Sequence, residues 1–232
     1  MDGFTRYAIY FAPPPGALAS LGARWLGWDA EAGRSASLPP GRDWPPLPRA
    51  RRALTDRPRP YGFHGTLKPP FALAEDGSVL GLHAALGALA PRLRRVRLDG
   101  LRVRELGDFV ALAPEGGTAS LDALAATLVE ALDGFRAPPD AEEIARRRAP
   151  GLTERQEAML RHWGYPYVME EFRFHLTLTG PLAATERAET AAALRPLFEP
   201  LLERPFRIDE VCLFGEGQDG RFRNLRRYAL SG

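Results

Sequence analysis

Tyr61-Gly62-Phe63-His64-Gly65-Thr66-Leu67-Lys68-Pro69-Pro70 and Phe172-Arg173-Phe174-His175-Leu176-Thr177-Leu178-Thr179-Gly180 carry the same phrase, H-x-T-L, and two of the chain's four histidines open it. In an extended strand the side chains alternate between faces with period two. His64 and Thr66 therefore point the same way, and so do His175 and Thr177. Phe63, Leu67, Phe174, Leu176 and Leu178 fall on the opposite face, where they pack against helices. A strand with one polar and one apolar face is half-buried and lines a cleft. Alternation adds Lys68 to the polar face beyond Thr66, Arg173 before His175, and Thr179.

Working outward, the phrases stand 111 positions apart (175 − 64), and Arg97-Leu98-Asp99 and Arg207-Ile208-Asp209 stand 110 apart (207 − 97). A nearly fixed offset at two landmarks predicts a duplication, with repeats marked at 64–113 and 175–230. The first half reads as a strand from Tyr7 to Ala12, a helix from about Gly16 to Leu26 and the H-x-T-L strand. A helix from about Ser78 to Leu93, the segment Arg97 to Val103, a turn at Gly107-Asp108 and a strand from Phe109 to Ala113 follow. The second half has a helix from about Ser120 to Phe135, with Leu121, Leu124, Ala125, Leu128 and Leu132 on one buried face. Its H-x-T-L strand leads to a helix from about Thr185 to Leu202, the segment Arg207 to Leu213, a turn at Gly215 to Gly220 and a strand from Leu225 to Leu230. This order predicts an α+β single domain over 1–232, with two pseudo-symmetric lobes of antiparallel sheet and outer helices.

Two segments break the symmetry. Residues 37–60 are crowded with proline and arginine and should form neither a regular helix nor a central strand. A loop of that length is functional or simply a solvated connection. Residues 141–163 read as a helical insertion in which Thr153 and Gln156 form a capping box. Its Arg146-Arg147-Arg148 triplet reads as a solvated face rather than a phosphate clamp.

Composition narrows the function. The chain has 232 residues, 45% hydrophobic and 26% charged, as a soluble globular protein does. No apolar run approaches the roughly 18 residues of a membrane span, and the N-terminus lacks the regions of a signal peptide. A cytoplasmic protein with no membrane partner is expected. Cys212 is the sole cysteine, so no intrachain disulfide forms. A net charge of +2 and a pI of about 8.9 suit a small phosphorylated substrate and argue only weakly for RNA. Lys68 is the only lysine, every other basic residue being arginine, and is read as a compact ammonium required at the site.

Paired H-x-T strands in a duplicated chain resemble the 2H phosphoesterase superfamily. Arg6-Tyr7-Ala8-Ile9-Tyr10-Phe11-Ala12-Pro13, Trp25-Leu26-Gly27 and Trp163-Gly164-Tyr165-Pro166-Tyr167, with the two phrases, are similar to a bacterial branch often encoded in phosphonate-utilisation (carbon–phosphorus lyase) operons. The resemblance implies the two-lobed fold around a central cleft and phosphodiester chemistry. The operon association suggests a phosphoribosyl cyclic phosphate as substrate.

The residues fit that chemistry. Opening a cyclic phosphodiester needs water activated on one side and the leaving alkoxide protonated on the other. Histidine serves both roles because its ordinary pKa is about 6.5. His64 and His175 are the expected catalytic pair, with either as base. Thr66, Thr177, Lys68 and Arg173 are expected to bind phosphate. Tyr10, Tyr61 and Thr179 are candidates to touch the substrate, and Trp163 and Tyr165 to stack on it. His83 is read as structural or exposed and His162 as outside the site. No H-E-x-x-H or C-x-x-C spacing occurs and no carboxylate lies within two residues of either motif histidine, so no metal or cofactor is expected. Processing of RNA 2′,3′-cyclic or 2′-5′ ends and a non-catalytic nucleotide-binding module are the competing readings.

Overall fold

The computed structural model describes residues 3–232. Its elements run β1 (Phe4–Phe11), α1 (Ala17–Leu26), β2 (Trp28–Asp29), β3 (Arg34–Ser35), α2 (Arg51–Leu54), β4 (Gly65–Phe71), α3 (Val79–Leu89), β5 (Val96–Leu98), β6 (Gly100–Leu106), β7 (Phe109–Glu115), α4 (Ala119–Ala131), α5 (Ala141–Arg148), α6 (Glu154–Trp163), β8 (Leu176–Thr177), α7 (Ala184–Phe198), β9 (Phe206–Ile208), β10 (Glu210–Gly217) and β11 (Phe222–Ala229). Seven strands form one antiparallel sheet in the order β11-β10-β1-β4-β8-β7-β6. The two halves meet at β4 and β8 through the pair Gly65↔Leu176.

The pairing of the two lobes is pseudo-symmetric. Strands β5 and β9 pair apart from the main sheet, with Arg97 opposite Arg207. Both contacts join repeat equivalents, since 65 + 111 = 176 and 97 + 110 = 207. A pseudo-two-fold axis therefore passes through both. β10, from the second repeat, pairs with β1 beside β4, and β6, from the first, pairs with β7 beside β8. Each half-sheet is completed by a strand of the other repeat.

Period-two alternation sorts the residues of β1 and β10. Tyr7, Ile9, Phe11, Val211 and Leu213 face the main core beneath the helices, while Ala8, Tyr10, Ala12, Cys212 and Phe214 face a smaller core with Trp28 and Phe222. α4 packs on β4, and α7 on β6 and β7. The buried side of α4 is Leu121, Leu124, Ala125 and Leu128, the spacing seen in the sequence. The Thr153–Gln156 capping box opens α6, and α6 ends at Gly164 in the left-handed conformation (φ 71°).

The segment 37–60 is more ordered than its composition suggests, with one helical turn, α2, inside it. Leu54 is fully buried there. Arg51 donates to the carbonyls of Arg24 and Trp25, and Arg59 to that of Leu26, so two of its arginines serve as fasteners to α1. Guanidinium donors replace the ladder bonds that proline denies this segment.

Candidate active site

The seam between β4 and β8 brings the two phrases together. The pair Gly65↔Leu176 sets His64 opposite Thr177 and Thr66 opposite His175, since 64 + 177 = 66 + 175 = 65 + 176. The two phrases differ at this very contact. A β-carbon on Gly65 would lie 2.4 Å from the Phe174 ring, so the strands can approach only because position 65 has no side chain. Both histidines and both threonines line one cleft of about 600 Å³.

Each imidazole is oriented in the same way. His64 Nδ1–H donates to the Gly62 carbonyl at 2.9 Å, and His175 Nδ1–H to the Arg173 carbonyl at 2.8 Å. In both, the acceptor is two residues upstream, and the bond fixes the proton on Nδ1 and leaves Nε2 as the proton-accepting nitrogen. The Thr66 hydroxyl donates to His64 Nε2 at 3.2 Å. The His64 ring stacks on Tyr10 with centroids 3.8 Å apart, and Phe109 flanks His175 at 5.3 Å. Burial depresses His64 to about 4; the bond to Gly62 opposes the shift and the nearby His175 adds to it. Burial also lowers His175, opposed by its bond to Arg173. Both rings are therefore neutral in the free protein at neutral pH.

Lys68 is not at the site. Only 2% of it is exposed, and its ammonium donates to the Val129 carbonyl at 3.0 Å and lies 3.6 Å from Asp133. The cause is a pair of bulges in β4. Tyr10 pairs with Thr66 but Ile9 with Lys68, and Tyr7 with Phe71, so β4 twice fits an extra residue against β1. The first bulge turns Lys68 to the face of Ile9, under α4. There it bonds a carbonyl in the last turn of α4, where a cation is favoured. Burial lowers its pKa to about 8, partly offset by Asp133.

Arg173 and Tyr61 line the cleft as expected. Tyr10 and Thr179 reach it only as buried floor: Tyr10 is the platform under His64, and the Thr179 hydroxyl accepts from the Val110 N–H at 3.0 Å. They support the site rather than project into it. His83 bonds the Tyr228 hydroxyl away from the cleft, and His162 is exposed against Trp163. Trp163 is not among the cleft residues, whereas Tyr165 is.

The cleft also holds three arginines that the sequence reading did not place at the site: Arg6, Arg57 and Arg147. Arg6 shares the cleft face of β1 with Ala8 and Tyr10, so alternation from Tyr10 would have found it. Its guanidinium is bound bidentately by Glu216 at 2.5 and 2.7 Å. Arg147 corrects the solvated-triplet reading. Arg148 pairs with Glu157 outside, but Arg147 turns inward, bonds Glu143 at 3.0 Å and lies 4.4 Å over the Tyr165 ring. Only the packing of the insertion reveals this. Among the described residues no group of three or more His, Cys, Asp or Glu gathers to hold a metal, and no helix is long and apolar enough to cross a membrane.

A two-lobed α+β fold with an H-x-T pair from each repeat facing one cleft is the arrangement that the 2H resemblance implied. Residues 66–223 match the family described as "Protein of unknown function (DUF1045)", which is 158 of 232 residues (223 − 66 + 1), and the chain belongs to that family. It is 38% identical over 216 residues to a Laribacter hongkongensis protein and 40% identical over 241 residues to a Janthinobacterium protein, both named ribose 1,5-bisphosphate phosphokinase PhnN. Those matches cover 93% and 100% of this chain but 49% and 52% of the relatives, so the chain spans about half their length. Among solved structures it is similar to TT0787 of Thermus thermophilus (18% identity, TM-score 0.44, 98% of each chain). It is also similar to E. coli LigT complexed with 3′-AMP (18% identity, TM-score 0.41, 98% of this chain and 99% of that one).

Proposed function

We propose that this chain is a phosphodiesterase that opens a small cyclic phosphodiester to a phosphomonoester by acid–base catalysis, without a metal. The observation that carries the reading is the matched pair of imidazoles, each fixed through Nδ1 and each offering Nε2 to one cleft beside a threonine hydroxyl. His64, held neutral by burial, takes a proton from the attacking water. The water oxygen bonds to phosphorus and the ester P–O bond breaks. His175, charged once an anionic phosphate sits beside it, returns a proton to the leaving alkoxide. The hydroxyls of Thr66 and Thr177 donate to the non-bridging oxygens as their charge grows.

The names of the longer relatives favour a phosphorylated ribose as the framework of the substrate, in line with a place in phosphonate metabolism. The test is phosphorus NMR of the purified chain in chelator. Ribose-based cyclic phosphates are compared with a short RNA ending in a 2′,3′-cyclic phosphate. Monoester should form from the small substrates. His64→Ala and His175→Ala should each lower turnover by about a hundredfold or more with thermal unfolding little changed. Turnover of the RNA alone makes the chain an RNA-end enzyme. Activity that appears only with a stoichiometric divalent ion, or survives loss of both histidines, overturns the mechanism.

A further inference from the structure

Phosphodiester opening, as proposed above, uses only the seam of the cleft. The wall between Arg147 and Arg173 carries donors that this chemistry leaves idle. Arg147 lies over Tyr165 and spends its NH2 on Glu143, yet its Nε is buried and has no hydrogen-bond partner. A buried N–H left unpaired costs about 1–3 kcal/mol, and on a side chain that lines the cleft a ligand oxygen would pair it. Arg173 is the second case. Its NH1 donates to the carbonyls of Glu170 and Phe172, and it has no carboxylate partner among the described residues. Its Nε and NH2 remain available.

The two side chains line one cleft. Arg173 lies two residues before His175, about 7 Å along extended backbone, and both line the same cleft as Arg147. The repeat offset of 111 puts Gly62 at the position equivalent to Arg173 (173 − 111 = 62), so the first repeat supplies no cation there. The histidine and threonine of each phrase thus recur in both repeats, whereas Arg173 does not.

We propose that Arg147 and Arg173 bind a second phosphate on the substrate, a phosphomonoester borne by the same small sugar whose cyclic phosphodiester lies between His64 and His175. Guanidinium forks suit a monoester dianion, which accepts two parallel N–H bonds. The proposal rests on the phosphodiesterase reading for its kinetics, and a binding experiment separates the two.

The experiment compares ribose cyclic phosphates with and without a 5-phosphate, using the full chain and its Arg147→Gln and Arg173→Gln variants. The kcat/KM preference for the phosphorylated substrate should fall by about tenfold or more in each variant. Equal losses on both substrates, or no loss, overturn the subsite. Calorimetry with ribose 5-phosphate, which has no bond to open, supplies the second readout. Binding to the parent chain that weakens in both variants supports the subsite even where neither cyclic ester is turned over, in which case the phosphodiesterase reading alone fails. No binding by the parent chain overturns the subsite. Arg147→Gln removes contacts to Glu143 and Tyr165; if it does not fold, Arg173→Gln, whose side chain is exposed, decides the outcome.

Discussion

The imidazole of His64 lies against Tyr10 with its Nδ1 proton held by the Gly62 carbonyl, and this packing has a consequence for stability. Its folded pKa of about 4 lies below the ordinary 6.5. Between those values the unfolded chain binds more protons, so folding stability rises with pH. The contribution is fully present above pH 6.5, is lost as pH falls toward 4, and has the same sign as that of His175. Urea denaturation from pH 7 to pH 4 should show a slope steeper in the parent chain than in His64→Gln, with each titrating group adding at most about 1.4 kcal/mol per pH unit. Identical slopes would mean that the ring is solvated. Lys68 offers a second test at this scale. Lys68→Ala opens a void and strips the Val129 carbonyl of its donor, so it should cost about 2–4 kcal/mol. Lys68→Met, which fills the space, should cost less. A Lys68→Ala chain of unchanged urea midpoint but raised KM would restore the lysine to the substrate side.

At the scale of the elements, the seam strands decide the site. Gly65 lets β4 and β8 close, because any β-carbon there meets the Phe174 ring at 2.4 Å. Gly65→Val should destabilise the fold by about 1–3 kcal/mol through overpacking. Phe174→Leu in the same chain should recover part of that loss, as coupling between neighbours requires. Additive losses in this double-mutant cycle would show that the glycine serves something other than strand approach. The same strands show what is legible in the sequence. The α4 stripe and the α6 capping box report local patterns, and both hold in the structure. Lys68 departs from its expected place because alternation assumes an unbroken ladder. Pro69 and Pro70, poor residues for a strand interior, are the visible warning of a bulge. Arg147 is not legible because no period links the insertion to the cleft it covers. Arg57 is hidden for a related reason: its stem packs on Gly180, over 120 residues away (180 − 57 = 123).

For the whole molecule, strand exchange between the repeats sets how the fold is held. The half-sheet carrying His64 needs β10 and β11 from the second repeat, and the half carrying His175 needs β6 from the first. The paired β5 and β9 link the two repeats again. The main core draws on both repeats, joining Ile9 and Leu67 with Leu176, Leu194 and Leu213 in one cluster. Neither repeat can therefore bury its sheet alone, and the free energy of each half depends on strands supplied by the other. Unfolding in urea should accordingly be a single transition, superimposable by far-UV circular dichroism, tryptophan fluorescence and loss of the turnover proposed above. The tryptophans suit this test, since Trp25 and Trp28 are buried in the first half and Trp163 ends α6 in the second, so that fluorescence and far-UV dichroism each report both halves. Trp25 also donates to the Leu178 carbonyl at the end of the second phrase, so local loosening there should be felt at once by both motifs. A fluorescence transition separated from the dichroism transition would mean that the lobes fold independently. The exchange of strands would then be a matter of topology alone, without the energetic coupling argued from the shared core.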